Sequence, residues 1–153
     1  MNKYSVEIKW SLIFGGAFLI WMLLEKSLGY HSIKAVQEPI FNLLFILISF
    51  VIYFLALREK KRKIYQNEME WKHGFASGII LSFFTTIIST TVIFITFSLI
   101  SPTFFENAIE LADNKELAQI NFNLPVFVKN NIFDKLSFGV VFTALISFMI
   151  KSK

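Results

Sequence analysis

The sequence predicts an all-α membrane protein of four transmembrane helices, with an outer amphipathic helix between the third and the fourth. Three observations carry this reading. Hydrophobic residues make up 55 % of the 153 and charged residues 17 %, whereas a soluble domain carries about 25 % charged residues. The apolar residues fall in runs too long for a core of this size to hide, and lipid covers apolar surface that water would penalise. The charges gather between the runs, where orientation signals belong. The length fits a single domain over residues 1–153.

The first span covers residues 8–28, around the apolar run Trp10 to Leu24. Lys3, Glu7 and Lys9 ahead of it would also suit a signal peptide. Trp10 and Trp21 bracket the run like interfacial anchors, and three further spans follow, so a retained helix is expected. The second span, 39–57, opens at Pro39, a good first-turn residue, and its Ile40 to Leu57 run carries no charge. The third, 74–100, is also free of charge and rich in serine and threonine. It is longer than a bilayer requires, so it must tilt, bend or protrude. In lipid an open sheet would leave backbone groups unpaired, so a helix is expected despite the β-branched residues. The fourth, 131–150, is less clean. Leu136 to Ile150 is apolar, and Asp134 and Lys135 are expected to snorkel to the interface. A surface or re-entrant segment is the alternative.

An even number of spans puts both termini on one side. Ten basic residues then share that side: Lys3, Lys9, Arg58, Lys60, Lys61, Arg62, Lys63, Lys72, Lys151 and Lys153. Five lie opposite: Lys26, Lys34, Lys115, Lys129 and Lys135. The positive-inside rule places the termini and the basic loop of Arg58, Lys60, Lys61, Arg62 and Lys63 in the cytoplasm. The expected topology is multi-pass. Basic residues at the ends of apolar runs argue against a nucleic-acid partner. With no cysteine, disulfides, thiolate catalysis and cysteine–zinc sites are excluded.

Helix packing in lipid favours small residues spaced by four. The third span offers Gly74, Gly78 and Ser82, the fourth Gly139, Thr143 and Ser147, and the first Ser11 and Gly15. A seam within the chain and a dimer seam are both open. The hydroxyls of the third span read as helix-bonded side chains rather than as a pathway lining. A transport pathway usually shows a charge near mid-membrane or a broken helix, and the sequence displays neither.

The candidate functional polar residues are Glu25, Lys26, His31 and His73. Glu25 and Lys26 are the charges nearest an apolar interior, read first as an interfacial pair that ends the helix. With His31 and Glu38 they form the one cluster of such groups at a boundary. The topology puts His31 and His73 at opposite faces, so they share no metal. No catalytic residue, metal site or cofactor is assigned, and no Walker, HExxH or GxSxG motif is present. In the loop from Ser101 to Lys135, residues Phe104, Phe105, Ala108, Ile109, Leu111 and Ala112 share a helical face that Glu106, Glu110 and Asp113 avoid. Pro102 suits a first turn, and Thr103 with Glu106 offers a capping box. A helix lying on the outer surface or roofing the bundle is expected.

Five segments carry a family resemblance. They are Glu7-Ile8-Lys9-Trp10, the stretch Trp21-Met22-Leu23-Leu24-Glu25-Lys26-Ser27-Leu28-Gly29-Tyr30-His31, Ala56-Leu57-Arg58-Glu59-Lys60, Trp71-Lys72-His73-Gly74-Phe75-Ala76-Ser77-Gly78, and Ser101-Pro102 before Phe104-Phe105. In this order they resemble the bacterial domain-of-unknown-function 4199 family over nearly the whole chain. The resemblance implies a bacterial inner-membrane protein of four spans and implies no activity.

The expected role is non-enzymatic: association with other membrane or envelope components. The alternative is a small oligomeric transporter or channel, marked by a water-accessible cavity that reaches Glu25 or the hydroxyls of the third span. The expected partners are the lipid bilayer and either a second copy or another membrane protein.

Overall fold

The computed structural model describes residues 3–152. Lys153, one of the ten basic residues counted with the termini, lies outside them. Among the described residues the chain is all-helical and has no strands. Four segments are long and apolar enough to cross a membrane: Ser5–Ser27, Ala35–Ile64, Trp71–Ile100 and Leu124–Ile150. A bilayer core of about 30 Å needs about 20 helical residues, so each suffices, and the chain is a multi-pass membrane protein.

Helix α1 is Ser5–Ser27. A 3₁₀ turn, Ala35–Gln37, leads into the short α2, Glu38–Asn42, and then α3, Phe45–Ile64. The second span is therefore one helical run, tightened near its start. Across Leu43 and Leu44 the ladder tightens to i−3 bonds: Leu44 N–H donates to Phe41 O, Ile46 to Leu43 and Leu47 to Leu44. Helix α4, Trp71–Ile95, runs on into a π turn, Thr96–Ile100. Helices α5, Phe104–Leu111, and α6, Lys115–Asn121, cover that end of the bundle. Helix α7, Leu124–Ile150, returns to the basic end.

Several boundaries differ from the sequence expectation. Arg58, Lys60, Lys61, Arg62 and Lys63 sit on the last turns of α3 rather than in a loop, where cations complement the helix dipole. Helix α7 starts at Leu124, before the expected residue 131, because the Asn123 side chain caps Val126 N–H and Pro125 stands in the first turn. Helix α5 forms, but Thr103 makes no capping bond. Its hydroxyl instead accepts from Asn107 Nδ2 at 3.5 Å. Phe104, expected on the face toward lipid or the bundle top, is fully buried among Phe97, Phe105, Phe122 and Phe127. Leu111, from the same expected face, stays half exposed.

Helix α4 packs against each of the other three spans. Its partnership with α7 is antiparallel and close. A side-chain carbon built on Gly78 would run into Thr143, one on Gly139 into Ser82, and one on Gly74 would lie 2.7 Å from Ser147 Oγ. The small residues of the two spans thus face each other within one chain. Gly15 on α1 meets Ile88 of α4 in the same way. The hydroxyls of α4 mostly bond backward: Ser82 to Gly78 O, Thr85 and Thr86 to Ser82 O, Ser89 to Thr86 O. Such bonds satisfy a hydroxyl without water.

At the basic end lies an ion pair that the sequence did not announce. Lys60 Nζ contacts Glu7 at 2.8 Å and donates to Lys3 O, and Ser77 Oγ donates to the same carboxylate. Glu7, Lys60 and Ser77 are all buried. Removing one partner of a buried pair leaves an uncompensated charge and costs about 3–5 kcal/mol. Exposed Lys63, paired with Glu59 at 2.8 Å, contributes about 0–1 kcal/mol.

Two stability predictions follow from this packing. Gly78→Leu should drive α4 from α7, costing about 1–3 kcal/mol as overpacking does, and lower the melting temperature in detergent. Thr91→Leu, on an exposed face of α4, should change it little. Equal melting of the two variants would contradict the close contact. Lys60→Met should destabilise clearly more than Lys63→Met, measured by the same melt.

Candidate functional site: a buried carboxylate–imidazole centre

The end of the bundle away from the basic cluster gathers polar side chains from four segments. Helix α1 ends in a turn that folds the chain back on itself. Tyr30 N–H bonds to Glu25 O and Gly29 N–H to Lys26 O, the pairing of a Schellman motif. Gly29 takes φ +87° there, a conformation that side chains with a Cβ disfavour. This return brings His31 over Glu25, six residues earlier.

Glu25 is the hub, and it is fully buried. Trp21 Nε1, one helical turn before it, donates to Glu25 Oε1 at 2.7 Å. Asn42 Nδ2, at the end of α2, donates to the same oxygen at 3.0 Å. The other oxygen, Oε2, stands 3.5 Å from His31 Nε2. His31 Nδ1 meets Ser101 Oγ at 2.7 Å, just past the π turn. Asn107 of α5 ties down His31 through its backbone carbonyl at 3.1 Å.

Glu38, in the first turn of α2, completes the cluster. One ligand atom each from Glu25, His31 and Glu38 lies within 4.8 Å of the others, and all three residues are buried. The hydrogen-bond partner of the Glu38 carboxyl is the carboxyl of Glu25. Lys135 lies within electrostatic reach of both. Two carboxylates this close in a low dielectric repel unless a proton or a cation joins them. The arrangement is suited to holding such a charge.

Beside the cluster opens a cavity of about 280 Å³, lined by Glu38, Asn42, Asn131, Asp134 and Lys135 among others. Lys135 was expected to snorkel outward. It turns inward instead, its ammonium 4.6 Å from the Phe18 ring and 5.6 Å from that of Phe45. Starting α7 at Leu124 places Lys135 three turns into the helix, too far from its end to reach out. A smaller space of about 40 Å³ continues from Asn42 and Lys135 to Tyr53, room enough for a water. Tyr53 Oη lies 3.1 Å from Ser82 Oγ and 2.9 Å from Thr85 Oγ1. Asn131 Nδ2 donates to Ser89 Oγ and Thr90 Oγ1 nearby.

The remaining candidates disperse. Lys26 turns away from Glu25 and donates to Ile100 O, so the two are not a local pair. His73 stacks on Tyr65 at 5.0 Å, at the basic end. Trp21 is no lipid anchor, because its indole N–H is spent on Glu25. Trp10 likewise donates to Glu59 Oε2. Asn42, Ser101 and Lys135 escaped the sequence reading as site residues. Asn42 carried a signal, being a lone amide in an otherwise apolar run.

One of the two expectations against a pathway falls. The second span keeps helical dihedrals through Leu43 and Leu44, but the ionisable groups Glu25, Glu38 and Lys135 lie within the bundle.

A comparison with protein families matches one model, DUF4199, described as a protein of unknown function, over residues 9–152. No curated protein and no solved structure matches the chain. The match covers every element built above except the first residues of α1, and with it the whole Glu25 centre. The chain belongs to the DUF4199 family of proteins of unknown function.

Proposed function

We propose that this chain is a bacterial inner-membrane protein, with both termini in the cytoplasm, that binds and passes a small cation as an oligomeric transporter or channel. The observation that carries the reading is the buried Glu25–His31–Glu38 cluster beside the 280 Å³ cavity. Ionisable groups within membrane spans are costly, and they mark ion and proton pathways. The tightened turn at Leu43–Leu44 and the π turn at Thr96–Ile100 flank the cluster. Local 3₁₀ and π stretches within helices gather at functional sites. The chain of Tyr53, Ser82 and Thr85 offers a polar continuation toward the basic end.

Orientation follows from the basic residues at the Lys60 end, which favour the cytoplasm. The Glu25 cluster then faces outward beneath α5 and α6, with α5 as the outer amphipathic helix. We propose no catalytic reaction and no nucleic-acid partner.

A second reading, association with another membrane protein, has one observation behind it. Leu111, Leu117 and Ile120 on the α5–α6 cover are exposed by 50, 56 and 67 %, which suits docking or contact with lipid.

Two experiments test these readings. The chain has no cysteine, so single cysteines report cleanly. A thiol reagent that cannot cross the inner membrane should label Asn114→Cys in cells with a permeabilised outer membrane, and label Asn67→Cys only after lysis. The opposite pattern would reverse the orientation. Glu25→Gln, at normal protein level, should reproduce whatever phenotype deletion gives. If the substituted strain behaves as wild type, the cation reading falls and association takes its place.

A further inference from the structure

The proposed function leaves the cation unnamed, and the chemistry of the cluster narrows it. We infer that Glu25, His31 and Glu38 form a binding site for a divalent transition-metal cation of the zinc type. This rests on the cation reading above and names its ligand.

The donor set is imidazole with two carboxylates, a combination that zinc accepts with an open fourth position. A harder cation such as magnesium or calcium takes oxygen donors and leaves the imidazole idle. One of the three donor spacings agrees. Two donors each about 2.0–2.1 Å from a tetrahedral zinc lie about 3.4 Å apart, and Glu25 Oε2 stands 3.5 Å from His31 Nε2. That spacing is long for a charged hydrogen bond.

The surrounding bonds aim the ligands. Trp21 and Asn42 both donate to Glu25 Oε1, which leaves Oε2 directed at the centre. Ser101 holds His31 Nδ1, so Nε2 is presented. Outer partners of this kind fix the orientation of metal-binding histidines.

A separate observation points to the missing charge. The Glu38 side chain is buried at 2 % exposure, and its hydrogen-bond partner is another acid, the Glu25 carboxyl. A divalent cation between them would satisfy both. The cavity lined by Glu38, Asn42, Asp134 and Lys135 supplies room for the open position and a route of exchange. Lys135, within electrostatic reach of Glu25 and Glu38, is the built-in counter-charge. It would compete with the metal, and its displacement would couple metal binding to α7.

The test uses the full chain, purified in detergent, stripped with a chelator and titrated calorimetrically with zinc alone. One equivalent should bind saturably and raise the melting temperature. Glu38→Gln and His31→Gln should each abolish that binding. Ser101→Ala should weaken it about 10- to 100-fold. Lys135→Met should tighten it. His73→Gln, which alters the other histidine, should leave it unchanged. Helical content and a monodisperse elution profile confirm that each variant is folded. No saturable binding to the folded wild-type protein would overturn the metal assignment, as would binding that survives in both Glu38→Gln and His31→Gln. Failure here with a deletion-like Glu25→Gln strain leaves the cation reading standing with the proton as ligand. Zinc binding with a silent Glu25→Gln strain keeps the site and removes the transport role.

Discussion

A carboxylate removed from water must be matched by donors or by charge, and at Glu25 the matching groups come from separate parts of the chain. Trp21 belongs to the same helix, His31 to the turn after it and Asn42 to α2. Leaving such a group without partners in an apolar interior costs several kcal/mol. That penalty makes the far end of the bundle a single unit. The return at Gly29 and the early end of α2 at Asn42 are both geometries that bring a partner to Glu25. The π turn of α4 sets Ser101 against His31, and Asn107 of α5 holds the same residue by its carbonyl. The irregular backbone is thus confined to the place where side chains can use it, which is the condition lipid imposes on broken helices.

The other half of the molecule is organised differently. The contact between α4 and α7 is made of glycine, serine and threonine, and attraction there comes from close approach rather than from exclusion of water. Most hydroxyls on α4 close onto their own backbone, whereas Thr143 Oγ1 and Ser147 Oγ on α7 are buried without a partner. The charge at the basic end is settled by the Glu7–Lys60–Ser77 group. Each end of the bundle therefore holds one buried charged group, with an aromatic layer of Phe14, Phe18, Phe45 and Tyr53 between them.

How far the sequence revealed this depends on the kind of force involved. The four spans were legible because lipid demands long uncharged runs, and nothing tertiary can override that demand. The small residues at spacing four were legible for the same reason. Contacts between distant segments were not. Lys60 reads as one of five basic residues within six positions, and only the approach of α1 reveals it as the partner of Glu7. Lys135 reads as an interfacial cation until the true start of α7, set by the Asn123 cap and Pro125, places it inside. Glu25 and Glu38 are thirteen positions apart, and no periodicity links them. Their meeting depends on the Gly29 turn and on the short α2 that follows it. The tightened turn at Leu43–Leu44 comes just after Asn42, the one amide in that run, and nothing else in the composition marks it.

The α4–α7 seam also has a mechanical consequence. Its small residues recur every four positions on both helices, so their shapes repeat with each turn. Sliding α7 by four residues, about 6 Å, would set Gly78 opposite Gly139 but bring the long side chain of Lys135 against Ser82. Lys135 thus acts as a stop on a seam whose small residues repeat. The register in use is also held by polar bonds at fixed heights: Asn131 to Ser89 and Thr90, and Ser152 to Asn67 and Met69. A seam of repeating small residues owes its register to one long side chain and a few hydrogen bonds at its ends, not to the shapes that give it close approach.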